Sequence, residues 1–384
     1  MPGSSPILPP ARLGMLGGGQ LGRYALMAAR TMGYGTVVVD PDPSAPAGRI
    51  ADVHLVAAYD SPGALDELAG TCAVVTTEFE NPPAAALERL ARSIPVHPSP
   101  GAVAIAQDRL AEKTFLHAHD IATAPFAALV NDDDVDVVAG LLGGPAIVKT
   151  TRLGYDGKGQ LAVRDAGDRR ALRDTWSALG RVACIVEQRV DLDVEVSVLV
   201  ARTALGAEVT YPVAENYHAD GILDLTVVPA RLDARLAEAA RTMAVAIADA
   251  LAYVGVLAVE MFVSGGQLLV NEMAPRPHNS GHWTLDAAAT SQFEQQIRAV
   301  CGVGLGSAEL TVPAAAMVNL LGDRWAGGEP DWSSVLADPD AHLHLYGKQA
   351  PRPARKMGHL TVVGPSSDAV VADARALAAT VGSR

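Results

Sequence analysis

Cysteine is scarce in this chain, and so are aromatic side chains and positive charge; each shortage excludes something. The three cysteines, Cys72, Cys184 and Cys301, form neither a CxxC pair nor an even framework. A disulfide scaffold is therefore excluded, and reduced, structural thiols in a reducing compartment are expected. Aromatic residues make up only 4% of the chain, yet the hydrophobic fraction is 49%, ordinary for a globular protein, so a packed core is expected. Basic residues are outnumbered, with a formal net charge of −13. Nucleic acid and anionic membrane both require basic surface, so neither is expected as a partner. The segment "MAVAIADALAYVGVLAV" from Met243 is the most membrane-like, but Asp249 and Gly255 interrupt it, and it falls short of a span. The opening "MPGSSPILPPAR" lacks a basic n-region and a long apolar core, so it reads as a loose tail rather than a signal peptide. A soluble, cytoplasmic protein with a small-molecule ligand is the expectation. GxSxG is missing, as is a convincing cysteine paired with histidine, which argues against covalent hydrolase chemistry.

What is present is organised as two or three domains, the number that 384 residues suggest. "RLGMLGGGQLGRYALMAARTMGYGTVVVD" reads as strand, glycine turn, helix and strand, closed by Asp40. Its Gly17, Gly19 and Gly22 fit GxGxxG, with Asp40 about where a ribose-binding acid of a dinucleotide site belongs. Such a turn presents bare amides to any phosphate, so an NAD-dependent oxidoreductase is one open reading. "ADVHLVA" and "AVVTTEF" continue a parallel sheet, and "IPVHPSPGA" marks a boundary near residue 100. "AIAQDRLAEKTFLHAHDI" is expected as a helix and residues 231–251 as a long alanine-rich one. Beyond residue 311 a small β-rich module is expected.

Four features could carry chemistry. The strand "AIVK" ends in Lys149 and runs into a loop with Gly154, Tyr155, Asp156, Gly157, Lys158 and Gly159. Its spacing nearly matches the phosphate-cradling GxxxxGK[ST] pattern, but Gln160 stands where the lysine belongs. Glu260 and Glu272 lie on two strands joined across "SGGQ". A three-residue hairpin loop, Gly265 to Gln267, would place them opposite each other on one face, where a cation or proton must separate them. Such hard oxygen ligands suit Mg²⁺ bridging substrate phosphates, and Asn271 would join them only through a bulge or bend. Lys348, Arg352, Arg355 and Lys356 form a basic patch in an acidic chain, suited to an anion such as phosphate. "HNSGH", from His278 to His282, is a dense polar loop suited to ligand contact. His342 and His344 share a strand face, but without a third ligand at a sensible spacing a packing role is expected for them.

The ordered series "GGGQLGR", "TTEFEN", "DRLAEKTFL", "IVKTTRLGYDGKGQ", "IVEQ", "EVSVLVAR", "YPVAENYHADGIL", "LLVNEMAPRPHNSGHWT" and "HLYGKQAPRPARKMGHL" resembles the 5-(carboxyamino)imidazole ribonucleotide synthetase family of ATP-grasp enzymes from about residue 12 to 365. "GYDGKGQ" alone is also similar to the formate-using ATP-grasp transformylase of the same pathway, which stays a second open reading. The resemblance implies an α/β chain with an N-terminal Rossmann-like domain over 1–100, an ATP-grasp domain over 101–310 with a lid at 123–183, and a C-terminal module over 311–384. It implies ATP-dependent joining of bicarbonate to 5-aminoimidazole ribonucleotide, Mg²⁺ as cofactor, and a homodimer. ATP would be held by Arg109, Lys149, the loop Gly154 to Gln160, Glu187, Gln188, Arg189, Val190, Glu195, His218, Asn271 and Glu272. Mg²⁺ falls to Glu260 and Glu272, and the ribonucleotide to Gln20, Leu21, Glu78, Tyr155, Lys158, His218, Asn279, Ser280, Lys348 and Arg355. Tyr155, Asp156 and Lys348 would stand nearest the chemistry. Lys158 occupies a position where several relatives carry arginine, which keeps the charge and loses the bidentate fork.

Overall fold

The computed structural model describes residues 5–154 and 157–381. Among the described residues the strands form three sheets. The first is parallel: Arg12–Leu16 lies between Gly35–Val39 and Val74–Thr77, with Val53–Leu55 at the far edge. The expected strand–helix–strand start is thus observed, with helix Gln20–Thr31 as the crossover. Leu21, Tyr24 and Ala25 of that helix pack against Phe293, Ile297 and Val300 of helix Gln292–Val300, which ties this sheet to the rest of the molecule.

The second sheet has nine strands and is antiparallel throughout. Strict alternation along its central strands separates two faces. Val196, Val198 and Val200 pack with Leu257, Val259 and Met261 under the helix Ala234–Ala250. Leu199, Ala201, Val256 and Ala258 face the other way, onto Trp283 and Tyr211. Glu260 and Ser197 are paired in register and continue this second face, away from the long helix. Each fully buried aliphatic side chain contributes roughly 1.5–3 kcal/mol, so the alternation fixes which face is left for polar work. The strands Ala314–Leu321, Ala341–Leu345 and Lys356–Gly364 do not form a sheet of their own but extend this one, with helix Ser367–Thr380 packed on them.

The third sheet, in the order Phe126–Leu129, Cys184–Gln188, Ala146–Thr150, Gln160–Val163, is backed by helices Asp134–Leu141 and Arg169–Ala178. Val148 and Val186 point into that core, so Lys149 and Glu187 take the opposite face.

Two expectations are corrected. "AIAQDRLAEKTFLHAHDI" is not one helix: Pro100–Ala106 ends before Arg109–Ala118 begins, because the Asp108 carboxylate caps the second by accepting from Leu110 N and Ala111 N. The hairpin between Gly255–Ser264 and Gln267–Ala274 turns on two residues, Gly265 (φ 54°) and Gly266 (φ 75°), not three. Both sit in the left-handed region that favours glycine.

Candidate functional site

The hairpin builds the centre of the site. Counting from Ser264 opposite Gln267, regular pairing would set Glu260 against Asn271 and turn Glu272 to the other face. A bulge prevents this: Met261 pairs with Val270 but Glu260 pairs with Glu272, and Asn271 is the extra residue. The expected facing of the two glutamates is therefore observed, through a bulge rather than a longer turn. Asn271, expected to reach the site only through such a bulge, has its Oδ1 buried and, among the described residues, without a hydrogen-bond partner.

Around this pair the charges form one connected cluster. Arg109 Nη1 donates to Glu272 Oε2 at 2.6 Å. Lys149 is buried and paired with Glu187, while Lys113 Nζ lies 3.4 Å from Glu187 Oε1. His218 Nδ1 is 2.5 Å from Glu195 Oε2, and His278 Nδ1 is 3.5 Å from Glu260 Oε1. Lys149 is thus no solvated strand end.

Burial, then the neighbouring Glu272, pushes the Glu260 carboxyl above its usual range. Burial would raise Glu272 as well, but the charge and hydrogen bond of Arg109, together with Lys149, hold it low. Burial alone would also raise Glu187, yet Lys149 and Lys113 bring it down. The His278 imidazole is held neutral by burial, with Arg276 nearby adding to the effect. Two facing, half-buried carboxylates, of which only Glu272 has an arginine bonded to it, beside the buried amide oxygen of Asn271, suit a hard divalent cation such as Mg²⁺.

The glycine loop returns to the same place. Gly159 O accepts from Thr150 N at 2.8 Å. A Cβ on Gly157 would come 3.2 Å from Asp220 O, so the loop lies against the turn that follows His218. Gly154 lies beside Arg109, while Lys158 and Gln160 flank Gly159. Tyr155 and Asp156 lie outside the described residues. Gln188 donates to Gly143 O, Arg189 is exposed, and Val190 is partly buried.

The glycine turn of the first sheet is filled from within. Gly18 N donates to Asp40 Oδ2 at 2.7 Å, and Glu78 accepts from Gly19 N at 2.7 Å and from Gly22 N at 2.9 Å. A phosphate cannot use amides that two carboxylates already occupy, which removes the physical basis of the NAD reading. Leu21 has its side chain in the core, and Gln20 is half-buried beside it. Asn279 and Asn319 exchange side-chain amide bonds at 3.0 and 2.7 Å, and Ser280 Oγ accepts from Ser197 Oγ at 2.9 Å. Lys348 Nζ donates to Lys356 O at 2.7 Å, and Arg355 Nη1 to Ala350 O at 2.8 Å, so the basic patch is one folded loop.

His342 and His344 do not form a ligand pair, but Asp286 and His359 stand beside His344, the ligand atoms of these three within 4.8 Å of one another. No regular spacing announces them. The His344 and His359 rings are nevertheless stacked 4.5 Å apart at 11°. Lone pairs lie in the ring planes and so run side by side instead of converging, which favours packing over metal binding.

Sequence reading missed Glu112 and Lys113, both buried here. Their signal was available: with Arg109 they occupy i, i+3 and i+4 on one helix, hence one face.

Comparison with known proteins follows the same path along the chain. Family models for a ribonucleotide synthetase preATP-grasp domain, an ATP-grasp domain and a phosphoribosylaminoimidazole carboxylase C-terminal domain match residues 11–107, 114–293 and 315–373. The N5-carboxyaminoimidazole ribonucleotide synthase of Brucella melitensis is 46% identical over 359 residues, covering 93% of this chain and 97% of its own. The N5-carboxyaminoimidazole ribonucleotide synthetase structure from Thermus thermophilus superposes with a TM-score of 0.88 at 41% identity, covering 97% of this chain and 99% of that one. The synthase from Aspergillus clavatus in complex with ADP and 5-aminoimidazole ribonucleotide superposes with a TM-score of 0.84 at 29% identity, covering 96% and 98%. With three family models matched in order along the chain and relatives similar over nearly its whole length in sequence and fold, the chain belongs to the N5-carboxyaminoimidazole ribonucleotide synthase family of ATP-grasp ligases.

Proposed function

We propose that this chain uses ATP to carboxylate 5-aminoimidazole ribonucleotide with bicarbonate, giving 5-(carboxyamino)imidazole ribonucleotide, ADP and phosphate in purine biosynthesis. The observation that carries this reading is the connected cluster running from Glu187 and Lys149, through Arg109 and Glu272, to Glu260 and His278. The three pairs interact through the charges of Arg109 with Glu187 and Lys149 with Glu272 and through the facing of Glu272 and Glu260, and they support an ATP site laid across the third sheet and the hairpin. Formate-dependent transformylation draws its support from the glycine loop alone.

In this reading Glu187, Gln188, Arg189 and Val190 flank the adenine, and Glu195 with His218 the ribose. Lys149, Arg109 and the loop Gly154 to Gln160 take the phosphates, with Tyr155 and Asp156 facing the second substrate. Mg²⁺ would be held by Glu260 and Glu272, beside Asn271, and would neutralise charge on the transferring phosphoryl group. Bicarbonate is a poor electrophile; phosphorylation gives carboxyphosphate, which releases CO₂ beside the exocyclic amine. Arg109 and Lys149 stabilise the negative charge that builds during that transfer. Gln20, the Leu21 amide, Glu78, Lys158, Asn279 and Ser280 line the ribonucleotide, and Lys348 with Arg355 grips its phosphate. Because the side chains of Asn279 and Ser280 are already paired, their part is to fix the loop around His278.

Domain limits at 100 and 310, a closing lid over 123–183, and a cytoplasmic homodimer complete the proposal; the lid and the homodimer rest on the family resemblance, while the limit near 100 rests also on "IPVHPSPGA" and the compartment on the reduced cysteines. Among the described residues no helix is long and apolar enough to cross a membrane. The test is ADP release with Mg-ATP and bicarbonate, which 5-aminoimidazole ribonucleotide should stimulate strongly and formate plus glycinamide ribonucleotide should not.

A further inference from the structure

The strand Gln267–Ala274 is the outer strand of the nine-stranded sheet, so one side of its backbone has no strand partner from that sheet. Such an edge is usually covered or blunted. Here it is covered by specific bonds concentrated on the bulge. Val270 N donates to Ala122 O at 2.8 Å. Lys113 Nζ donates to Val270 O at 3.0 Å and to Asn271 O at 2.7 Å, and Glu112 Oε1 accepts from Met273 N at 2.6 Å. Lys113 is 1% exposed and Glu112 2%.

Burying an ammonium and a carboxylate costs several kcal/mol each unless every charge is answered by a bond. Apolar side chains would cover an edge without that cost. What they could not do is hold particular carbonyl and amide groups in place. The groups held belong to residues 270, 271 and 273, which bracket Glu272. Loss of the bulge would return the ladder to regular pairing, set Glu260 against Asn271 and send Glu272 to the opposite face.

We propose that Lys113 and Glu112 are positioning residues that clamp the bulge at Asn271 and thereby keep Glu272 facing Glu260. The proposal rests on the reading of these two glutamates as metal ligands. Lys113 also lies 3.4 Å from Glu187 Oε1, so one ammonium joins the metal side of the site to the proposed adenine side.

The test is direct Mn²⁺ binding to the full chain saturated with ADP, read by electron paramagnetic resonance without turnover, alongside the melting temperature. Loss of an outer-shell partner weakens metal affinity by roughly 10–100-fold, and that loss is expected for Lys113→Met and for Glu112→Leu. Lys113→Arg, which keeps donors for both carbonyls, is expected to recover most of the affinity. A residue that only supports the fold would lower the melting temperature and leave Mn²⁺ affinity alone. If Lys113→Met does not fold, Lys113→Gln, whose uncharged amide nitrogen sits one bond short of the ammonium that bonds both carbonyls, carries the same measurement. Wild-type Mn²⁺ affinity in a folded Lys113→Met or Lys113→Gln, with affinity lost in Glu272→Gln, overturns the clamp. Wild-type affinity in Glu272→Gln overturns the metal reading, and the clamp with it.

Discussion

Glu260 and Glu272 are identical side chains a strand apart, and their surroundings drive them in opposite directions. Arg109 keeps Glu272 charged, whereas burial and that same charge press Glu260 toward its protonated form. Glu272→Gln should therefore lower Mg-ATP turnover by about 100-fold or more, as expected when a charge-stabilising group is removed. ADP release and circular dichroism check this; wild-type turnover in a folded variant would remove Glu272 from the site. Lys348→Ala should raise the KM for the ribonucleotide about tenfold, the worth of one charge-assisted bond, and leave that for ATP near its wild-type value. Steady-state kinetics with each substrate varied would settle it, and equal effects would contradict the phosphate grip. At this scale the carboxylate pair and the end-of-strand lysine were legible, because charged residues interrupting apolar strands stand out. Glu112 and Lys113 show only through their spacing with Arg109, a signal easily passed over because charges on a polar helix read as solvent-facing until something is known to cover them.

At the scale of elements, local geometry decides which residues meet. The facing glutamates could be read from the sequence, but the device that aligns them could not: a turn of two glycines and one extra residue at Asn271 give the same register as a longer loop. The long helix assigned through Asp108 fails for a similar reason, since apolar spacing continues across the break while the aspartate caps the second segment. In the glycine loop, Gly159 has φ 73°, and a Cβ there would approach Thr150 Oγ1 to 2.7 Å. Gly159→Ala should destabilise the loop by about 1–2 kcal/mol, the usual cost of a left-handed alanine. If the loop closes on the phosphates, kcat should fall several-fold with little change in melting temperature, and an unchanged kcat would remove the loop from the reaction.

In the molecule as a whole, chemistry is assembled from parts far apart in sequence, since helix Arg109–Ala118, strands Ala146–Thr150 and Cys184–Gln188, and the hairpin all contribute. The order of motifs along the chain was enough to expect these parts. Sequence could not say that the last strands would extend the large sheet, because a strand's alternation does not name its neighbour. Arg231 bridges that extension: it bonds the buried Glu215 and also pairs with Asp368 at the start of the last helix. Burial would raise Glu215, but the bonds from Arg231 and Tyr217 hold it below its usual range. A depressed carboxyl adds stability above its unfolded pKa of 4.5 and loses it as pH falls through the lower folded value. Arg231→Ala should then cost on the order of 3 kcal/mol near neutrality, less whatever its partial exposure returns, and flatten the acid limb of the melting-temperature profile. An unchanged acid limb would show that the pair contributes nothing there. The central claim, that the charged cluster of the site activates bicarbonate for one particular amine, is tested most directly by ADP release with Mg-ATP and bicarbonate. Strong stimulation by 5-aminoimidazole ribonucleotide, and none by formate with glycinamide ribonucleotide, is the predicted result; indifference to the first acceptor would contradict it.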